Sequence, residues 1–259
     1  MSSRRPPLSR LLALAALGAA LAAPARLAAD GETHAMDHSQ HDLAKEHGGA
    51  LMTMVRGERL EYARDDGEES LLWDLELWLG GDLNKLWIKT EGVYEPDAGE
   101  VADGEAQALW SHAVSRYFDL QAGVRFDFEP EPTRAHAVIG LQGLAPYWFE
   151  IDTALFVSDD GDVSARFEAE YDILLTQRLI AQPRFELELA AQEVPELGIG
   201  SGVPAVGAGL RLRYEIVREL APYVGIAWEE LTGDTADLAR AAGEPTSSTS
   251  LLVGLRFWY

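Results

Sequence analysis

Beyond residue 50, apolar and polar residues alternate with a period of two through most of the chain. Val163, Ala165, Phe167, Ala169, Tyr171 and Ile173 share one face of a strand, and Ser164, Arg166, Glu168, Glu170 and Asp172 fill the other, because strand side chains point alternately to opposite faces. The same division sets Phe185, Leu187 and Leu189 against Arg184, Glu186 and Glu188, and Leu210, Leu212, Tyr214 and Ile216 against Arg211, Arg213 and Glu215. Matching this pattern along the chain predicts about twelve strands. They cover 51–62, 71–80, 85–94, 105–114, 118–128, 134–144, 147–157, 162–174, 178–191, 206–217, 221–230 and 250–259. Each is near or somewhat above the roughly 9–11 residues of a tilted membrane strand.

The same alternation would give a soluble sandwich an apolar core and a charged outside. The connections and the aromatic residues favour a membrane barrel. Links at Gly81-Asp82, Ser115-Arg116, Ala145-Pro146, Thr176-Gln177 and Glu219-Leu220 are short, whereas those at 63–70, 95–104, 192–205 and 231–249 are expected to be long. That is the pattern of short periplasmic turns and longer outer loops, with 129–133 and 158–161 as short exceptions. Tyr62, Trp73, Tyr94, Trp110, Tyr117, Phe118, Tyr147, Trp148, Trp228, Trp258 and Tyr259 fall near strand ends, where membrane girdles place amphipathic rings. The final strand sets Leu251, Val253, Leu255, Phe257 and Tyr259 on one face. It is similar to the closing strand of bacterial outer-membrane barrels. The expected fold is all-β: a transmembrane antiparallel up-and-down barrel with both ends in the periplasm.

Composition narrows the function. The 259 residues carry a formal net charge of −22 and no Cys. Phosphate binding needs a basic surface, so nucleic acid is not an expected partner; disulfides and thiolate metal sites are excluded. Arg4, Arg5 and Arg10 precede an apolar run from Leu11 to Ala23, and Ala23-Pro24-Ala25 or Leu27-Ala28-Ala29 offers a cleavage site. Residues 1–29 therefore read as a signal peptide. Residues 30–50 read as a flexible, polar periplasmic tail, and 51–259 as the barrel.

Several runs resemble the copper resistance protein B family of outer-membrane barrels. They include Gly81-Asp82-Leu83-Asn84-Lys85-Leu86-Trp87, Gly143-Leu144-Ala145-Pro146-Tyr147-Trp148-Phe149-Glu150, Leu175-Thr176-Gln177-Arg178-Leu179, Glu196-Leu197-Gly198-Ile199-Gly200-Ser201-Gly202 and Gly233-Asp234-Thr235-Ala236-Asp237, in order over 56–259. The resemblance implies copper tolerance, an outer-membrane location among lipids, copper as the bound or passing ion, and periplasmic partners such as a multicopper oxidase. Family members often carry many Met-Asp-His-Ser-like repeats; here Met36-Asp37-His38-Ser39 is the only clear copy.

Imidazole and thioether are ligands that suit copper, and thioether favours Cu(I). His34, Met36, His38, His41 and His47 can supply such ligands; the alternative is a solvated tail that binds metal weakly. Met52 and Met54 share a face of the first strand and either extend a copper path inward or serve as apolar packing. His136 shares a face with Arg134 and Gln142, which places it in the lumen near the outer side as a metal contact or a structural hydrogen-bonding group. His112 reads as an interfacial group beside Trp110. The lumenal rows hold both signs of charge, so a lumen cross-linked by ion pairs is expected rather than an open pore. Ser158-Asp159-Asp160-Gly161-Asp162 reads as a tight hairpin rather than a calcium loop.

An enzyme such as an outer-membrane lipase needs a Ser nucleophile beside a His base. Ser111 and His112 are adjacent in sequence and so point to opposite faces, and no Gly-x-Ser-x-Gly elbow occurs. The expectation is a non-enzymatic barrel that binds or passes copper. A structural or porin-like barrel without copper specificity is the alternative.

Overall fold

Residues 51–65 and 67–259 are described by a computed structural model. Twelve antiparallel strands follow one another in chain order: β1 (Met52–Asp65), β2 (Glu68–Gly80), β3 (Asn84–Glu95), β4 (Glu100–Ala113), β5 (Phe118–Glu129), β6 (Arg134–Ala145), β7 (Phe149–Ser158), β8 (Val163–Glu170 and Ile173–Leu174), β9 (Leu179–Ala190), β10 (Ala205–Tyr214), β11 (Leu220–Leu231) and β12 (Ser247–Trp258). Each pairs with its sequence neighbours, and β12 pairs with β1 to close the barrel. At the seam Val55 and Tyr259 exchange both backbone hydrogen bonds at 2.8 Å. Full closure leaves no unpaired sheet edge, which a hydrocarbon environment requires. No helix among the described residues is long and apolar enough to cross a membrane; the strands do so.

The two pieces of β8 are one strand in register: Glu170 faces Arg184 and Ile173 faces Ala181. Between them Tyr171 donates to the Pro183 carbonyl at 3.2 Å. Pro183 has no N–H to return the bond, so the ladder is interrupted there.

The barrel is inverted relative to a soluble protein. Val124 and Leu251 on the outer face are 60% and 69% exposed, while Arg211 and Glu61 in the lumen are each only 5% exposed. An apolar outer band around a polar interior is the arrangement that lipid stabilises. Trp110, Tyr117, Tyr147, Trp148 and Tyr259 are exposed near the periplasmic end. Tyr147 and Trp148, in the turn after β6, adopt φ of 69° and 68°. That left-handed conformation is costly for bulky side chains.

Two expected long links are short. β1 and β2 remain paired up to Asp65 and Glu68, and β3 and β4 up to Glu95 and Glu100. Their Asp, Glu and Gly residues resemble loop residues because these strand ends rise beyond the lipid band into water. The other two links are long and contain structure that the alternation did not predict: a 3₁₀ turn at Pro195–Leu197 and helix α1 at Gly233–Ala242. These two loops are locked together, since Gly200 N donates to Thr235 Oγ1 at 2.8 Å and Ser201 Oγ lies 3.3 Å from Asp234 Oδ2. A Cβ on Gly200 would lie 2.4 Å from Thr235 N, so the contact requires glycine. The 158–162 segment is a tight hairpin, with Gly161 N donating to the Ser158 carbonyl at 3.0 Å and Ser158 Oγ accepting from Asp162 N at 2.9 Å.

Candidate functional site

The lumen is the candidate site, and alternation builds it by sending every second side chain inward. Its middle is bridged by ion pairs between strands far apart around the barrel. Lys89 on β3 reaches Asp152 on β7 at 2.8 Å. Arg166 on β8 reaches Glu105 on β4 at 3.1 Å, where Arg125 on β5 also pairs at 2.9 Å. Arg184 holds Glu168 and Glu170 at 2.6 and 2.8 Å, and Arg59 pairs with Asp74 at 3.0 Å and with Glu91. Buried charges are tolerated only when paired and hydrogen-bonded. The cross-linked lumen expected from the mixed-sign rows is therefore present. Glu215 is an exception among those rows, because it follows the end of β10 and its N–H bonds to Arg178 in a periplasmic turn.

A bulge at Gly57/Arg59 shifts the β1 register, so that Glu58 and Arg59 both face inward. Period-two reading misses such a step. It also missed an apolar filling inside the lumen, where Trp87, Leu109, Val138 and Phe156 pack together against Trp78. Cations cover these rings: Lys89 Nζ lies 5.5 Å from the Trp87 centroid, and the Arg125 guanidinium 4.8 Å from that of Phe156. The signal was available, since Leu109 shares its face with Gln107 and Ser111.

The outer half opens into a cavity of about 780 Å³. Twelve carboxylates and four guanidiniums line it. All four arginines (Arg59, Arg166, Arg184 and Arg211) are paired with carboxylates. Asp97, Asp103 and Glu229 have no ion pair among the described residues. A recess lined by one excess sign concentrates oppositely charged ions, so this vestibule favours cations.

The predicted ligands are dispersed. Met54 shares the lumenal face of Arg56 and lies opposite Trp78, while Met52 lies opposite Gly80 at the periplasmic rim. His136 faces the lumen near the outer end: its Nδ1 is 3.6 Å from Asp127 Oδ2, and its ring meets Phe156 edge-on at 6.3 Å. That Nδ1 is buried without a hydrogen bond. The structure thus does not bring Met52 or Met54 together with His136. Among the described residues, no group of three or more His, Asp or Glu is arranged to hold a metal ion. His34, Met36, His38, His41 and His47 lie outside the described residues. His112 stacks on Trp110 at 5.5 Å and meets Asn84 Oδ1 at 2.9 Å, as an interfacial group would.

A closed twelve-strand barrel with a lipid-facing apolar band and a charged lumen defines an outer-membrane β-barrel protein. Residues 51–259 match the family described as Copper resistance protein B precursor (CopB), and the chain belongs to that family. It is 44% identical to Copper resistance protein B of Escherichia coli over 213 residues, covering 82% of this chain and 71% of that protein. It is 41% identical to the Copper resistance protein B homolog of Pseudomonas syringae pv. tomato, over 86% of this chain and 74% of the homolog. Among solved structures, the NanC porin shares the fold with a TM-score of 0.50 at 12% identity, over 80% of this chain and 99% of the porin.

Proposed function

We propose that this barrel binds copper at the outer membrane and passes it through the lumen, without covalent chemistry. The observation that carries the reading is a cation-favouring vestibule on a chain matching the copper resistance family from 51 to 259. The carboxylates would concentrate cations of any kind, because oxygen ligands prefer hard ions. Copper preference would come from softer groups: Met52 and Met54 toward the periplasmic end, His136 toward the outer end, and His34, Met36, His38, His41 and His47 in the tail. Residues 1–29 would direct export, and 30–50 would serve as a periplasmic ligand segment from which copper passes to a partner such as a multicopper oxidase. Movement would proceed by exchange of labile ligands.

The test is a copper titration of the mature barrel folded in detergent, with and without residues 30–50, comparing Cu(I) and Cu(II) with zinc and calcium. Selective copper binding that survives loss of the tail supports a site in the barrel. Binding lost with the tail makes the barrel an anchor for a ligand segment. If neither form prefers copper, the reading fails and a porin-like barrel without copper specificity replaces it.

A further inference from the structure

The lumen is lopsided. Its β3–β7 side is filled by Trp87, Leu109, Val138 and Phe156. Its β10–β12 side is walled by small residues, including Gly207, Gly209, Ala227 and Ser250, and the vestibule descends along that wall. At Gly207 an added Cβ would make only ordinary van der Waals contact, 3.5 Å from the Glu186 side chain, so the wall has room for it. Lower on the same wall the space closes. A Cβ on Gly225 would lie 2.9 Å from the Leu252 side chain, and one on Gly254 would lie 2.5 Å from the Tyr223 ring. Glu61, Arg211, Tyr223 and Leu252 form this layer, each no more than 5% exposed. Arg211 Nε donates to Glu61 Oε1 at 2.6 Å, and the Tyr223 hydroxyl donates to the same oxygen at 2.9 Å. Tyr223 thus joins β11 to β1 across β12 while lying flat over Gly254.

We propose that the route through the lumen follows the small-residue wall of β10–β12, and that Tyr223, held by Glu61 over Gly254, is its stopper. The inference rests on the reading that ions pass through the barrel. The filled side offers no equivalent route: its cavity beside Leu109, Val138 and Phe156 is only about 70 Å³, and the Lys89–Asp152 and Arg166–Glu105 pairs cross it. On the small-residue side, a rotation of the one phenol ring away from Glu61 opens the layer. The phenol bond is neutral on its donor side, and such bonds contribute less than ion pairs. It is therefore the weaker of the two contacts that hold Glu61.

Potassium conductance of the purified full barrel in planar bilayers tests the stopper without reference to copper. Tyr223→Ala is expected to raise conductance severalfold over the parent. Tyr223→Phe keeps the ring and frees it from Glu61, so a smaller rise is expected. Leu109→Ala, on the filled side, should leave conductance at the parental level. Heat-dependent gel mobility confirms that each variant is a closed barrel. A parental conductance in folded Tyr223→Ala, or an equal rise in Leu109→Ala, overturns the assignment.

Thiol labelling keeps the test decisive if Tyr223→Ala does not fold. The chain has no Cys, so single substitutions report one position each. Gly207 lies above the layer and Ala221 below it on β11. In intact cells a membrane-impermeant thiol reagent should label Gly207→Cys quickly and Ala221→Cys slowly, with the second accelerated by Tyr223→Phe. Equal labelling of the two single variants refutes the stopper. Parallel copper flux into liposomes separates the two readings. Raised potassium conductance without copper preference retains the stopper and removes the copper role; copper-selective flux that Tyr223 substitutions leave unchanged does the reverse.

Discussion

Lys89 Nζ on β3 sits 2.8 Å from Asp152 Oδ2 on β7 and 3.6 Å from Glu76 Oε1 on β2, tying distant walls of the barrel at one point. Replacing Lys89 by Met would leave the Asp152 carboxylate without its cation, while Glu76 would keep its pair with Arg56. Removing one partner of a buried pair costs about 3–5 kcal/mol, and the part-exposed Asp152 places this case at or below the lower end. Denaturant unfolding followed by gel mobility should show a lowered midpoint. The double variant with Asp152→Leu should recover part of the loss, as a coupled pair requires.

The vestibule should select ions by charge. With Asp103→Asn and Glu229→Gln combined, two unpaired carboxylates leave its lining while every arginine remains. The reversal potential in a salt gradient should shift toward weaker cation preference, and the difference should shrink at high ionic strength.

If the proposed copper role holds, Met52 and Met54 would set which copper oxidation state the barrel prefers. Thioether prefers Cu(I), so Met52→Leu with Met54→Leu in the barrel lacking residues 30–50 should weaken Cu(I) binding roughly tenfold, about 1.4 kcal/mol. Cu(II) and zinc affinities should stay unchanged. A competition titration with a Cu(I)-selective chelator measures this directly.

The outer loops offer a structural test away from the lipid. Thr235→Val removes the hydroxyl that accepts the Gly200 N–H and should cost about 1 kcal/mol locally. Gly200→Ala should cost more, because its Cβ would meet the Asp234–Thr235 backbone. Both should speed proteolytic cleavage within 191–204, with Gly200→Ala the faster.

Acid should loosen the β7–β8 hairpin. Hydrogen bonds from Gln192 and Arg134 hold the Asp162 carboxyl below its usual value of 3.8. A depressed carboxylate stabilises the folded hairpin fully above that value, and the contribution is lost as pH falls through the lower, folded one. Amide exchange at Gly161 and Asp162, corrected for its intrinsic pH dependence, should be flat near neutrality and faster in strong acid. Asp162→Asn should abolish that acid response.

The strand pattern was legible because each lumenal residue is flanked by lipid-facing ones; Arg166, Glu168 and Glu170 between Ala165, Phe167 and Ala169 needed no tertiary information. Three features were hidden for separate physical reasons. The Glu58–Arg59 bulge breaks the period that reveals faces. The Glu100 and Glu68 strand starts resemble loops because they are paired in water. Leu109 and Trp87 are apolar residues turned toward a polar interior, which alternation shows only when the neighbours Gln107 and Lys89 are weighed with them. The pairing of Glu61 with Arg211 and Tyr223 was not legible at all, since it joins residues 150 and 162 positions apart.

The seam between Val55 and Tyr259 has a consequence for assembly. The first strand made has to wait for the last, and every intermediate before that moment presents two raw edges. Pairings of such sequence separation form slowly, because a long loop must close before any contact rewards it. The fate of the molecule is therefore decided by whichever partner reaches β12 first: β1 seals the cylinder, while an edge of another chain would make an open, aggregating ribbon.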